Sequence, residues 1–410
     1  MAEHSPDYFS WWQRPDLCYQ DDQLFFAGIS VNDLIAEHGT PTFVYSGQRV
    51  AANLQRLKNA LNATALKNRY SILYAMKANR YSPLLQLMRQ QDSVGIDACS
   101  PNEVALAVKC GFSPAQISFT AGSLSQKDVA RLSEFHGLFM DCDSIHAIKT
   151  WGELKPGSEI GIRVNPAMGV SREDNDALQY AGDVTTKFGI YKEQFLEALQ
   201  VAQQYKLSVT KIHFHTGCGF LTPQLSQLDN VIEACLWFVD NCSTVKRVNV
   251  GGGLGVPHIA SDQQLDLGKW AGVLEKHFAN RDIHLEMEPG EYIAKDSGIL
   301  LLGKTFLEQK RQTLFLGVDA GFNIAPEPAY YKLPFQPVPL SDPSEIPTES
   351  LEKVMVVGNI NEALDVWHED TLLPDMTNED HLVLINAGAY SSSMASNHCM
   401  RGDFKEILLD

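Results

Sequence analysis

The sequence predicts an α/β protein: a (β/α)8 TIM-type barrel followed by a C-terminal β-sandwich or β-barrel domain. Three observations carry that prediction. From residue 40 onward, short apolar runs alternate with amphipathic runs, the signature of right-handed βαβ units around a parallel sheet. Unusual polar residues fall at the ends of those apolar runs, where barrels build their sites. Near residue 306 the alternation stops and a Pro-rich stretch with short β-prone runs takes over.

The strand candidates come in this order: "TFVYS" (42–46), "YSILYAM" (70–76), "SVGIDA" (93–98), "ISFTAG" (117–122), "GLFMDC" (137–142), "IGIRVN" (160–165), "KIHFHTG" (211–217), "VNVGGG" (248–253) and "HLEMEPG" (284–290). Between them lie helical runs such as "GQRVAANLQRLKNALNATAL" and "SPNEVALAVKCGF". Eight or nine such units in roughly 250 residues match the size of a (β/α)8 barrel, although a doubly wound open sheet fits the same alternation. After residue 306 come "TLFLGVDAGF", "PEPAYYKLPFQPVPLSDPSEIP", "KVMVVGNI", "HLVLINAG" and "FKEILLD", which read as a β domain. The early run "LFFAGISV" has no helix before it and is expected to join that domain. The boundaries are drawn at 1–38 for the N-terminal strand segment, 39–306 for the barrel and 307–410 for the β domain.

Composition narrows the function classes. The 410 residues are 44% hydrophobic and 20% charged, enough for a large core in two or three domains. A net charge of −17 repels phosphate backbones and anionic lipid, which argues against nucleic acid and membrane surfaces as partners. No apolar run reaches the roughly 18 residues of a membrane span, and the start lacks a basic-then-apolar leader, so a cytoplasmic location is expected. The eight cysteines form no C-x-x-C pair and are expected to be free thiols.

Six strand ends converge on one chemistry. Lys77 ends one strand, Asp97 another, Arg163 a third and His215 a fourth; Gly251, Gly252 and Gly253 end a fifth, and Glu288 a sixth. A lysine after a β-prone run either snorkels to water or has been given a chemical partner. The glycines of "VNVGGGLGV" let backbone N–H groups approach an anion, typically phosphate, at the loops where this fold often binds it. They fail the dinucleotide pattern, since Val256 stands where its last glycine would be. His213 and His215 share a strand face, but no further ligand set accompanies them, so no metal is expected. An amine, a phosphate cradle, a flat imidazole and a carboxylate together describe a pyridoxal 5'-phosphate site, in which the protein supplies tether, anion site and ring-nitrogen partner.

These motifs resemble the fold-type III pyridoxal-phosphate decarboxylases, the diaminopimelate, ornithine and arginine decarboxylase family with an alanine-racemase-like barrel. The resemblance runs nearly end to end, through "YAMKANRYSPLLQLM", "GIDACSPNEVALAVKCG", "HFHTGCG", "VNVGGGLG", "EPGEYI", "GVDAGFN", "NEALDV" and "INAGAYSSSMASNH". It implies a homodimer with shared active sites. It implies that Lys77 holds the cofactor as an imine, His215 stacks on its ring and Glu288 faces its nitrogen. Gly251 to Gly253 would cradle the phosphate with Tyr390 nearby, and Asp97 and Arg163 would support the cofactor from beneath. Asn361, Glu362 and Asp365 would come from the partner subunit. Alanine racemase is the nearest rival, but it places an arginine at the ring nitrogen, so Glu288 favours decarboxylation. A regulatory homologue without turnover and a metal-dependent hydrolase are the other rivals.

The chain departs from the family's pattern at its substrate end. Asn361 stands where the family has a cysteine thought to reprotonate Cα, and asparagine has no acidic proton to give. Glu291 and Glu327 replace two arginines that grip the far carboxylate of diaminopimelate, or in part the phosphate. Lys332, after Tyr331, replaces the aspartate that binds the far amine in ornithine decarboxylases, and Cys218 replaces a phosphate-touching serine. Two carboxylates in place of two arginines repel an anion. The expected substrate is therefore a basic or conjugated amino acid from siderophore or polyamine biosynthesis, with Glu291, Glu327, Tyr331, Lys332, Glu362 and Asp365 as its contacts. Diaminopimelate, in lysine biosynthesis, is the alternative.

Overall fold

The computed structural model describes residues 9–91, 93–170, 172, 182, 184–215 and 217–410. They form two compact units. One comprises Asn53–Val256 and Gln263–Tyr292; the other joins the chain up to Ala52 with Pro257–Asp262 and Ile293–Asp410.

The first unit is a closed parallel barrel. Its strands are Tyr70–Ala75 (β1), Val94–Ala98 (β2), Ile117–Ala121 (β3), Phe139–Cys142 (β4), Glu159–Asn165 (β5), Ser208–His213 (β6), Arg247–Asn249 (β7) and His284–Met287 (β8). The hydrogen-bonded order runs β5-β6-β7-β8-β1-β2-β3-β4, and β4 pairs back onto β5. A two-residue strand, Ile190–Tyr191, pairs with Val164 and Asn165 at the end of β5, beyond the residues that pair with β4. Closure leaves no open edge and covers both faces of each strand, so nearly all strand residues are buried, polar ones included.

The connecting helices are shaped by the same sequence logic. Helix Leu225–Asp240 buries Leu225, Leu228, Val231, Ile232, Cys235, Phe238 and Val239, a stripe at three- and four-residue spacing. Phe238 meets Phe195 of helix Lys192–Gln204 edge to face at 5.1 Å. Serines start several helices directly after strand ends: the Ser100, Ser125 and Ser144 side chains accept from the backbone N–H groups of Glu103, Asp128 and Ala147. Each cap satisfies an otherwise orphaned donor, which fixes where the strand-to-helix loop ends.

The second unit is a mixed sheet built on one long strand, Gly298–Lys310. Its antiparallel neighbours are Thr42–Ser46, Thr313–Val318 and His381–Leu384. Glu352–Val357 and Val366–Leu373 extend one side, and Lys405–Leu409 lies parallel to Thr42–Ser46. Near the N-terminus, Leu17–Gln20, Gln23–Phe26 and Ile29–Ser30 form a three-stranded antiparallel sheet. Its Leu17, Leu24 and Phe26 share a core with Val44, Ile299, Leu301, Val338 and Val383.

One strand lies elsewhere than expected. Thr42–Ser46 belongs to this sheet, between Gly298–Lys310 and Lys405–Leu409, and not to the barrel. All five of its residues are buried, so it has no polar alternation to separate it from a barrel strand. The other eight candidates are the eight barrel strands.

Candidate active site

The barrel strands carry their unusual polar residues to one end. Lys77 lies on the turn that follows β1. That turn is tied down on each side: the Met76 N–H donates to the Asp97 carbonyl at 3.1 Å, and the Ala78 N–H donates to the Ala75 carbonyl at 3.0 Å. The buried Tyr74 hydroxyl donates to the Asn79 carbonyl at 3.1 Å. Lys77 itself is exposed, and its positive charge acts on Asp97, Cys99, His215 and Glu288. The chain therefore holds an accessible amine on a rigid turn among acidic and imidazole groups.

Glu288, just past β8, is the best-anchored carboxylate of the group. One oxygen receives His213 Nε2 at 3.0 Å and the other receives the Asn249 side-chain amide at 2.6 Å. Burial alone raises a carboxyl's pKa, but the charge and hydrogen bond of His213, with Lys211 and Lys77 behind them, outweigh it. Glu288 is held well below the usual carboxylate range and is ionised. Asp97 on β2 goes the other way. Burial and the nearby Glu288 charge push it well above the usual range, against the pull of Lys77. Its Oδ1 has no hydrogen-bond partner among the described residues. Two neighbouring carboxyls are thus pushed in opposite directions, Glu288 down and Asp97 up.

His215 is a neutral ring. Burial, then the Lys77 and Arg163 charges, lower its pKa well below that of a free imidazole. Its Nδ1 accepts the Gly252 N–H at 3.3 Å, which places the ring proton on Nε2. Gly251 to Gly253 follow β7 where no side chain fits. A Cβ on Gly252 would meet the Glu288 carbonyl oxygen at 2.1 Å, and one on Gly253 would meet the Gly217 carbonyl oxygen at 2.4 Å. Gly251 and Gly253 also take φ of +71° and +95°, conformations that side chains rarely adopt. The Glu288 N–H donates to the Gly251 carbonyl at 2.8 Å, which ties the glycine turn to the Glu288 backbone. Arg163 on β5 pairs with Asp143 at 3.4 Å and lies over the Phe188 ring at 4.6 Å.

Glu291 is buried, and the Val256 N–H donates to it at 3.4 Å. Cys218 is a half-buried free thiol. Lys77, Asp97, Arg163, His215, the three glycines and Glu288 thus share the C-terminal ends of the barrel strands.

The remaining candidates belong to the β unit. Glu327 opens the short helix Glu327–Tyr331 and is buried against Lys295. Lys295 also donates to the Ala389 carbonyl at 3.2 Å and lies 4.9 Å from the Phe335 ring centre. Both Asp365 oxygens accept backbone N–H groups, from Phe322 at 2.7 Å and from Ile360 at 2.6 Å. Glu327 and Asp365 are thus buried and already partnered within the β unit. Asn361 and Glu362 are exposed, and Glu362 meets His398 at 3.3 Å. Lys332 is exposed in the left-handed region at φ +53°, and Tyr331 and Tyr390 are half-buried.

Two partners went unread in the sequence. His213 was weighed only as a metal ligand beside His215, and Asn249 not at all, yet both hold Glu288. The signal was a reversed alternation. In "KIHFH", "RVNVG" and "HLEME", the polar residues recur at every second position of otherwise apolar strands, which aims them into the barrel.

The chain is similar to known proteins over most of its length. The family profile described as "Pyridoxal-dependent decarboxylase, pyridoxal binding domain" matches residues 48–295. The diaminopimelate decarboxylase of Methanothermobacter thermautotrophicus is 30% identical over 413 residues, spanning 96% of this chain and 92% of that protein. The diaminopimelate decarboxylase of Escherichia coli K12 is 29% identical, spanning 92% and 90%. The crystal structure of the Helicobacter pylori diaminopimelate decarboxylase complexed with L-lysine superposes with a TM-score of 0.82 at 25% identity, covering 92% of this chain and 94% of that one.

Proposed function

This chain belongs to the pyridoxal-dependent decarboxylase family, and from that premise we propose that it removes the α-carboxylate of a basic or conjugated amino acid, releasing carbon dioxide and an amine. Its cofactor is pyridoxal 5'-phosphate. The residues fit that group on three structural grounds. The glycine turn has backbone where any Cβ would collide, a cradle suited to phosphate. The ionised Glu288 suits a protonated ring nitrogen, and the neutral His215 suits a ring face. Asp97, with a buried oxygen that lacks a hydrogen-bond partner among the described residues, has hydrogen-bonding capacity to spare.

When bound, the cofactor supplies an electron sink for the pair left as the carboxylate departs. The protein's part is positioning and charge. The Lys77 amine would tether the cofactor through its aldehyde. Glu288 would keep the ring nitrogen protonated, with His213 and Asn249 fixing its orientation. Arg163 and Asp97 would support the ring, and Gly251 to Gly253 would hold the phosphate, with Tyr390 and Cys218 as further phosphate contacts. By the family resemblance, the working unit would be a homodimer in which Asn361 and Glu362 reach the neighbouring subunit's site. Asn361 has no acidic proton, so a different acid or a water would return the proton to Cα.

The substrate reading rests on the exchange of two arginines for Glu291 and Glu327. Glu291 offers a buried carboxylate toward a basic substrate end. Glu327 is already neutralised by Lys295, so its effect is the loss of a cation. Lys332, exposed, would meet an acidic appendage on a conjugated substrate of the kind used in siderophore or polyamine biosynthesis. The relatives' names favour a second reading, diaminopimelate itself. Carbon dioxide release over a panel of basic, acidic and conjugated amino acids separates the two. Faster turnover of a basic or conjugated acid is expected, and fastest turnover of meso-diaminopimelate would reject it.

A further inference from the structure

The opposite end of the barrel holds a cavity of about 370 Å³ among the first residues of the strands. Ligand sites for small molecules start near roughly 300 Å³. Its polar lining includes Ser71, Gln116, Arg247, His284 and Glu286, with Phe139 as an aromatic wall.

The charges there are arranged unequally. Lys211 is fully buried and committed: it meets Asp141 at 2.7 Å, Glu286 Oε2 at 3.0 Å and the Ser118 hydroxyl at 2.8 Å. Arg247 is not. Its guanidinium lies 3.9 Å from the Phe139 ring centre, while its acidic neighbours Glu286 Oε1 and Glu159 are both 3.5 Å away and Thr210 is 3.4 Å away. A charge-assisted bond closes to about 2.7–2.9 Å. Glu286 Oε1 has that long Arg247 contact as its one partner among the described residues. A cation and an anion therefore border the same cavity without having closed on each other.

Charge balance selects the ligand. Lys211 and Arg247 face three carboxylates, Asp141, Glu159 and Glu286, so the cluster has no positive charge to spare. A phosphate or dicarboxylate would bring uncompensated negative charge beside Glu286. A zwitterion brings opposite charges to Arg247 and Glu286, whose mutual contact is long, and Ser71, hydrogen-bonded to His284 at 2.8 Å, adds a polar contact. We propose that the N-terminal mouth of the barrel is a binding site for a small zwitterionic amino acid, its carboxylate on Arg247 and its ammonium group on Glu286. The site is separate from the candidate active site, which lies at the strands' other ends. It is built on the same strands: Lys211 precedes His213, Arg247 precedes Asn249 and Glu286 precedes Glu288 by two residues each. An occupant would bear on the layer directly beneath the Glu288 cluster.

The test is calorimetric titration of holoenzyme whose cofactor has been fixed by borohydride reduction, so that amino acids do not react there. The ligands are the standard L-amino acids, with acetate, methylamine and inorganic phosphate as controls. At least one amino acid should bind saturably, and more tightly than any control. Arg247→Gln should weaken it about tenfold or more, roughly 1.4 kcal/mol. Ala115→Trp, which narrows the mouth and leaves the charged groups intact, should do the same should Arg247→Gln fold poorly. The proposal is overturned if no amino acid binds, if binding is unchanged in the folded variants, or if phosphate or acetate binds as tightly.

Discussion

Glu288 owes its charge to His213. A buried carboxylate is costly unless partnered, and here the imidazole and the Asn249 amide take one oxygen each. Its folded-state pKa lies below the ordinary 4.5, so the ionised form dominates across neutral pH and is lost only as pH falls through that depressed value. His213→Phe would remove the largest opposing charge and let burial push Glu288 upward. The acid limb of the kcat–pH profile should then move to higher pH, with the amine site at Lys77 still able to take up cofactor. An unchanged profile would mean that Glu288 does not depend on His213. Neither partner was read from the sequence, because histidine two residues from histidine invites a metal reading before a positioning one. Lys77, His215 and Glu288 drew attention in the sequence because each closes a β-prone run at the end where a barrel builds its site.

At the scale of elements, the turn after β7 is the least tolerant part of the site. A Cβ on Gly252 would sit 2.1 Å from the Glu288 carbonyl oxygen, and that atom is backbone, which has little room to give. Gly252→Ala should displace either the glycine turn or the Glu288 segment. Cofactor affinity should fall about tenfold or more, measured by equilibrium dialysis, while circular dichroism keeps its α/β signature. Full retention of affinity would show that the turn is not the phosphate cradle. The glycine run itself announced this turn in the sequence. Thr42–Ser46 was harder, since a strand buried on both faces reads the same in a parallel barrel and in the middle of a mixed sheet. The Lys295–Glu327 pair was hidden for a different reason. Its members are 32 residues apart, and only the fold brings a lysine to the glutamate that replaces an arginine.

For the whole molecule, the two units account for the order in which the sequence could be read. The barrel's repeating strand–helix pattern is local and was visible, whereas the β unit is assembled from both chain ends and its pairings are long-range. No helix among the described residues is long and apolar enough to cross a membrane. A homodimer with shared sites makes a sharp prediction at this scale. Lys77→Ala and Glu362→Ala, each inactive alone, should regain activity when mixed and allowed to exchange subunits, because some hybrid sites then hold both native residues. No regain in a mixture shown to contain hybrids would place Glu362 outside the neighbouring site. The claim on which the remaining assignments lean is the covalent tether at the end of β1, and borohydride reduction of the cofactor-loaded protein followed by peptide mass spectrometry tests it most directly. A reduced pyridoxyl-phosphate adduct on Lys77, absent from Lys77→Ala, is the predicted result; an unmodified Lys77 in protein that has bound the cofactor would contradict it.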